Sequence, residues 1–285
     1  MNHSSTPPIL LTIAGFDPSG GAGIAADLKT FAAHNAYGVA CVSALTVQNS
    51  QGVRSIDSTP AKTLRAQLAC VLEDVKIAAV KIGMLATRAN AEVVAEFLEA
   101  SSFLHVVLDP VLRSTGGFAL LDEAGIPVLR DRLLRLATVI TPNTDEAAVL
   151  SGVAIDNLDG MKAAARGLIE RGARAVVITG GHLEKPTDLF YDGTEFLTFG
   201  SDRIKSENTH GTGCTFSAAI AANLAAGKQL RDAVMLAKAY VTKAIEKGYP
   251  IGQGKGSLNH FYRTQQEPAH RMVEYPPPVG DPSHR

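Results

Sequence analysis

The sequence predicts an α/β protein with a mostly parallel central sheet that is covered by helices. Two observations predict this class. Short apolar runs alternate with longer stretches in which apolar residues recur at three- and four-residue spacing. The short runs are nearly continuous in apolar residues, as expected for strands of a sheet that is buried on both faces. The 285 residues, of which 46% are hydrophobic and 19% charged, are enough for a full core.

The elements follow from this alternation. Strands are predicted over residues 9–14, 39–47, 78–83, 105–110, 137–142 and 175–180, and helices over 24–33, 63–72, 89–100, 126–135 and 161–171. Between two apolar runs, Asp192 and Gly193 predict a β-hairpin over 188–199 at the edge of the sheet. No repeat or second domain is apparent. We therefore predict a single domain over residues 1–262 and a polar, proline-rich tail over 263–285.

Charge and cysteine content exclude several classes of partner. The net charge is −1 and no block of like charges occurs, so nothing favours binding to nucleic acid or to an anionic membrane. Cys41, Cys70 and Cys214 are odd in number and far apart, which indicates reduced thiols. No apolar run approaches the ~20 residues of a membrane span, and the N-terminus lacks a signal-peptide pattern. These features predict a cytoplasmic protein that acts on small molecules.

Polar residues follow three of the predicted strands. Asp109 ends one strand, Thr141 and Asn143 end the next, and Thr179 and Gly181 end the last. Such residues commonly do no more than terminate a strand. Because parallel strands carry their carboxyl ends to one edge of the sheet, and ligands bind there, three such ends together favour a site.

The stretch NTHGTGC, 208–214, predicts an anion-binding turn. Gly211, Thr212 and Gly213 precede a helix of small residues, and backbone amides at such a helix start stabilise phosphate or another oxyanion. The stretch is neither a Walker A loop nor a dinucleotide-binding GxGxxG motif. Cys214 stands at the helix start, where the amide dipoles lower the pKa of a thiol. A reactive thiol and a buried, inert cysteine explain this position equally well.

Two further features suggest a binding pocket. The glycine-rich loop AGFDPSGGAGIAAD, 14–27, joins the first strand to the first helix, and Asp27 points towards the N-terminal end of that helix. A flexible loop with a surface aspartate is the alternative. Gln48 follows a nearly unbroken apolar strand, and its amide offers a donor and an acceptor that suit the edge of an aminopyrimidine or pyridine ring.

Seven motifs in order, TIAGFDPSGGAG, ALTVQNSQG, KIGML, LDPV, ITPNTDEA, GGH and THGTGC, resemble those of the hydroxymethylpyrimidine and phosphomethylpyrimidine kinases of thiamine biosynthesis. The resemblance spans residues 10–260, and these kinases belong to the ribokinase-like superfamily. It implies a three-layer αβα fold and a homodimer. The implied activity transfers phosphate from ATP, with Mg²⁺, to 4-amino-5-hydroxymethyl-2-methylpyrimidine, giving the monophosphate and then the diphosphate.

The resemblance also implies roles for individual residues. Cys214 is the expected catalytic base, beside an anion hole formed by Gly211, Thr212 and Gly213. The residues expected to bind the pyrimidine are Gly15, Asp27, Gln48, Met84, Val111 and His210. Those expected to organise ATP and the metal are Asp109, Asn143, Glu146, Thr179 and Gly181, with Mg²⁺ held by Asp109 and Glu146, directly or through water.

The chain departs from the family pattern at two positions. Thr179 stands where many members carry a lysine before Gly-Gly-His, and Glu207 stands where many carry a basic residue. Arg113 could supply the positive charge that is missing near the ATP phosphates. The second phosphorylation depends most on this charge, because its acceptor is more negative. Two alternatives to the implied function are a pyridoxal or pyridoxine kinase of the same fold, and a sensor that binds the pyrimidine without turning over ATP.

Overall fold

The computed structural model describes residues 6–181, 187–200 and 204–264, and its strands form a single sheet. The spatial order is β3-β2-β1-β4-β5-β6-β7-β8-β9. The strands β1, β2 and β4 to β7 run parallel, while β3, β8 and β9 each pair antiparallel to a neighbour. The strands are β1 (Ile9–Phe16), β2 (Tyr37–Asn49), β3 (Gly52–Ser58), β4 (Ile77–Ile82), β5 (Val106–Leu108), β6 (Val139–Ile140), β7 (Val176–Ile178), β8 (Thr187–Tyr191) and β9 (Phe196–Gly200).

Helices cover both faces of the sheet. They are α1 (Gly23–Ala33), α2 (Ala61–Asp74), α3 (Arg88–Glu99), α4 (Gly125–Val128), α5 (Leu134–Leu136), α6 (Thr144–Ser151), α7 (Leu158–Glu170), α8 (Thr212–Ala225) and α9 (Leu230–Glu246). A π-helical segment, Leu129–Leu133, joins α4 to α5. One apolar cluster packs α2 to α7 against the sheet, and another packs α1, α8 and α9 against the opposite face.

Alternation along each strand divides its side chains between these two clusters. Leu10 lies with α8 and α9, whereas Leu11 lies with α2 and α3. Val107 likewise faces α8, while Val106 and Leu108 face the other layer. Successive strand residues point to opposite faces, so a strand buried on both needs an unbroken apolar run. The predicted three-layer αβα architecture is confirmed.

The six predicted strands and the edge hairpin are confirmed, and two elements, β3 and α9, were not predicted. Strand β3 is half exposed and polar, so it lacks an apolar run. Helix α9 was not predicted although its buried residues recur at helical spacing, whereas α6 begins with its N-cap Asn143 and with Glu146 in its first turn, as the family resemblance implies. The predicted helix over 126–135 is divided by the π-helical segment. The predicted tail, from residue 265 onwards, lies outside the described residues and stays a prediction.

Within the described part of the chain, no helix combines the length and the apolar character that crossing a membrane requires.

Candidate active site

A cavity of about 960 Å³ opens at the carboxyl edge of the parallel strands. Strand ends contribute Gly15, Met84, Asp109, Thr141 and Thr179 to its lining. Strand β1 connects to β2 on one side of the sheet, whereas the strands after β4 are added on the other side. The cavity therefore lies at the point where the strand order reverses, which is where open α/β sheets bind their ligands.

The start of α8 forms one wall of this cavity. Gly211, Thr212, Gly213 and Cys214 all line it, and none of the described side chains caps the first-turn amides of the helix. Gly211 adopts a left-handed conformation with φ of 82°, and a Cβ there would overlap the carbonyl oxygen of Gly21. Only glycine fits both conditions. The predicted anion hole thus has the required backbone, because uncapped helix amides attract an anion.

Cys214 lies between the starts of two helices, since the backbone amide of Gly23, the first residue of α1, donates a hydrogen bond to its sulfur. We expected the helix dipoles to lower the pKa of this thiol, and that expectation is wrong for the free protein. Burial raises its pKa to about 12, which Lys81 opposes, while Asp109 and Asp27 raise it further. The thiol therefore carries its proton at neutral pH.

Two buried carboxylates, those of Asp109 and Glu146, line the cavity near Cys214. Burial raises the pKa of Asp109, and burial together with the charge of Asp109 raises the pKa of Glu146. The Asn143 side chain accepts a hydrogen bond from the Glu146 amide at 2.9 Å, and Glu146 accepts one from the Asn143 amide at 3.0 Å. The Asn-x-x-Glu spacing is thus also the capping box of α6.

Asp27 occupies a place that the sequence did not predict. It does not line the cavity, and its buried carboxylate accepts hydrogen bonds from Thr12 at 2.6 Å and from the Lys81 ammonium at 2.9 Å. Thr12 and Lys81 are register partners on β1 and β4. Burial alone would lower the pKa of Lys81, but the charge and hydrogen bond of Asp27, together with the nearby Cys214 and Asp109, outweigh burial and raise the pKa. A buried charge needs a partner, so Asp27 pairs with Lys81 instead of facing a ligand ring.

Asp17 organises the glycine-rich loop and was missed from the sequence. It is buried, and its carboxylate accepts hydrogen bonds from the amides of Ser19 and Ala22, at 2.8 and 2.9 Å. The same carboxylate lies 2.7 Å from Nε2 of His210. Burial would raise the pKa of Asp17, but the hydrogen bonds from His210 and Ser19 lower it. The sequence could have indicated this role, because an Asp side chain commonly accepts a hydrogen bond from the amide two residues later in a turn, here that of Ser19.

The other predicted residues are brought together as expected. Gln48 and His210 line the cavity, and their side-chain nitrogens Nε2 lie 3.3 Å apart. Met84 packs on Gly15, where a Cβ would lie 2.7 Å from the Met84 sulfur. Further predicted residues in the lining are Val111, Asn143, Thr179 and Gly181. His182 of the GGH motif lies outside the described residues.

Positive charge enters the cavity from Arg113, which the sequence suggested, and from three lysines that local sequence patterns did not reveal. Lys238, on α9, lines it and pairs with Asp188 of β8 at 2.6 Å. Lys205, Lys255 and Arg113 also line it. Three of these four residues lie after position 200, in segments that approach the sheet edge only in the folded chain.

The residues fit a magnesium ion. Asp109 and Glu146 supply hard oxygen donors, and two buried carboxylates with raised pKa values indicate negative charge that lacks compensation. Magnesium is usually held by one or two carboxylates together with substrate phosphates and water. Among the residues described, no group of three or more His, Cys, Asp or Glu residues that could enclose a metal occurs.

Comparison with known proteins agrees with the geometry, first at the level of the fold. The structure of pyridoxal kinase from Staphylococcus aureus in complex with AMP-PCP and pyridoxal superposes with a TM-score of 0.82 at 35% identity, covering 91% of this chain and 96% of that one. The architecture is that of the ribokinase-like vitamin kinases.

The family follows from sequence comparison. Residues 17–259 match the family model described as phosphomethylpyrimidine kinase. The hydroxymethylpyrimidine/phosphomethylpyrimidine kinase of Haemophilus influenzae is 46% identical over 259 residues, which are 88% of this chain and 96% of that protein. The thiamine biosynthesis bifunctional protein ThiED of Geobacter sulfurreducens is 44% identical over 254 residues, and the chain spans 52% of its length. The chain belongs to the phosphomethylpyrimidine kinase family.

Proposed function

We propose that this protein phosphorylates 4-amino-5-hydroxymethyl-2-methylpyrimidine with ATP, first to the monophosphate and then to the diphosphate, in thiamine diphosphate biosynthesis. One observation carries the proposal: the Cys214 thiol and the uncapped amides of α8 line the same cavity as Gln48, Met84 and Val111. A proton acceptor, an anion hole and a pocket for a flat ring are thus combined in one site. Family membership supports the same substrate.

The cavity has room for two ligands. The part near the glycine-rich loop, lined by Gly15, Gln48 and Met84, suits a small aromatic ring, with the Gln48 amide at its edge. The part near α9, lined by Val241, Thr242 and Ile245, suits the base of ATP because these side chains offer apolar surface. The start of α8 would then receive the phosphates between the two ligands.

In this arrangement the residues supply positioning and electrostatic stabilisation. The amides of Gly211 and Gly213 stabilise negative charge on the transferring phosphoryl group. Because the thiol of the free protein is protonated, it first releases its proton to solvent; the thiolate then accepts the proton of the substrate hydroxyl, and Lys81 and the Gly23 amide stabilise that thiolate. Asp109 and Glu146 would hold a magnesium ion, which would supply positive charge to the phosphate oxygens. Homodimer formation and cytoplasmic location remain predictions from the family resemblance and the composition.

An ATP-consumption assay tests the proposal. With the pyrimidine present, we expect ADP to form and mass spectrometry to detect the monophosphate and then the diphosphate. Pyridoxal should be run in parallel, since the pyridoxal kinase likeness makes it the alternative acceptor. Binding of the pyrimidine without ADP formation would identify a sensor, and a strong preference for pyridoxal would replace the proposed substrate.

Arg113 provides a separate prediction about the second step. It lines the cavity, and the described contacts of its guanidinium include a hydrogen bond of 3.2 Å to the carbonyl oxygen of Gly117 but no carboxylate. Because the second acceptor carries an additional phosphate, Arg113→Ala should lower kcat/KM for the second phosphorylation more than for the first. Rates for each acceptor measured separately check this. Arg174→Ala, an exposed arginine that does not line the cavity, is the control. Equal losses in both steps would show that Arg113 does not compensate for Thr179.

A further inference from the structure

The tip of the β2–β3 hairpin, residues 46–53, forms one wall of the ring-binding part of the cavity. Thr46, Gln48 and Val53 line the cavity, and the chain turns at Ser50 and Gln51. The pairing of β2 with β3 is irregular between Val47 and Gln48. Among the described strands, β3 lies at the edge and pairs only with β2, so the sheet supports this tip from one side. Its position therefore depends on contacts from elsewhere.

Those contacts come from the segment 252–256, which follows α9. The Ser50 hydroxyl oxygen accepts hydrogen bonds from the amides of Gln253 and Gly254, both at 3.1 Å. The Ser50 carbonyl oxygen accepts a third, from the amide of Lys255 at 3.0 Å. The backbones are in close contact, since a Cβ at Gly254 would overlap the Ser50 carbonyl oxygen and one at Gly252 would overlap the Ser50 hydroxyl. Three hydrogen bonds and two glycines thus join the segment to the hairpin tip.

The same segment also holds the chain that leads into the anion hole. The amide of His210 donates a hydrogen bond to the Gly256 carbonyl oxygen at 3.0 Å. The amide of Gly256 donates one to the Glu207 carbonyl oxygen at 3.1 Å. A Cβ at Gly256 would overlap the side-chain oxygen of Asn208. One short segment therefore bridges the hairpin tip, which carries Gln48, and the stretch 207–210, which carries His210.

We propose that segment 252–256 is a latch that holds the hairpin tip over the pyrimidine, and that Ser50 is a positioning residue that acts through Gln48. This inference rests on the proposed function for the identity of the ring. The latch stabilises the side of the cavity where the ring binds, while the part lined by α9 is built from other elements. Loss of the latch therefore weakens binding of the pyrimidine much more than binding of ATP.

Two variants test the latch. Ser50→Ala removes the acceptor of two amides, and Gly254→Ala places a methyl group against the Ser50 backbone. Each should raise KM for the pyrimidine about 10-fold, the effect of losing one or two hydrogen bonds. KM for ATP, and kcat at saturating pyrimidine, should change less than about 3-fold. Gly200→Ala is the matched control because a Cβ there meets no atom of the described residues within 4 Å and Gly200 does not line the cavity.

Hydrogen exchange in the absence of substrates provides the second measurement. Amides 48–53 should exchange faster in both variants than in the wild type and in Gly200→Ala, whereas those of β4 should not. Unchanged exchange at the hairpin tip would overturn the latch, whether or not the protein is a pyrimidine kinase. Equal increases in KM for ATP and the pyrimidine would overturn the positioning role. Faster exchange in a protein that does not phosphorylate the pyrimidine would instead refute the proposed function and, with it, the substrate role of Ser50.

Discussion

Replacing Cys214 by alanine should lower kcat by ~10²–10⁴-fold while affinity for the pyrimidine changes little. The reason is that Cys214 accepts the proton of the substrate hydroxyl and does not bind the ring. Cys214→Asp should recover part of the rate, since a carboxylate can accept the same proton. Steady-state rates at saturating ATP, with a separate measurement of pyrimidine binding, check both outcomes. Cys70→Ala is the control, because Cys70 is an exposed cysteine outside the cavity.

The pH dependence provides a second criterion for the same residue. Burial raises the pKa of Cys214 to about 12. Below that pH, the thiolate fraction of the free protein rises about tenfold each time the pH is raised by one unit. If proton transfer to the thiolate limits the rate, kcat should increase from pH 7 to pH 9 in the wild type. Nearly full turnover by Cys214→Ala would show that the cysteine packs rather than reacts.

Lys81→Met should destabilise the fold by about 3–5 kcal/mol, because it leaves Asp27 buried without its cation. Both side chains of this ion pair are fully buried, and Thr12 supplies the other hydrogen bond to the carboxylate. The double variant Lys81→Met with Asp27→Leu removes both charges together and should be more stable than Lys81→Met alone. Urea unfolding of the single and double variants measures these differences in the free energy of unfolding.

An exposed pair provides the control for this comparison. Arg88 and Glu92 on α3 lie 2.8 Å apart with side chains 60% and 36% exposed, and Arg88→Met should cost less than about 1 kcal/mol. If the effects of Lys81→Met and Asp27→Leu simply add in the double variant, the two residues do not stabilise the fold as a pair.

Features that depend on neighbouring residues were predictable from the sequence. Mostly apolar runs of strand length predicted β1 and β4, since a strand buried on both faces needs apolar side chains at most of its positions. Asp192 and Gly193 predicted the hairpin of β8 and β9, because few residues allow so tight a turn. The GTG turn before Cys214 predicted a helix start there for the same local reason, and anion binding at it stays a prediction. The carboxyl ends of the strands also predicted where Asp109, Asn143 and Thr179 would meet.

Features that depend on distant contacts were decided only by the tertiary structure. Asp27 was expected to face the ligand. Instead, β4 lies beside β1 and brings the ammonium of Lys81 to the Asp27 carboxylate, although the two residues are 54 positions apart in the sequence. The contact of Asp17 with His210 spans 193 positions. A lysine within an apolar strand was a sign of such pairing, although it did not identify the partner. Cys214 shows the same division. The helix start is visible in the sequence, whereas the burial that raises the pKa of the thiol arises only when α8 packs against the sheet.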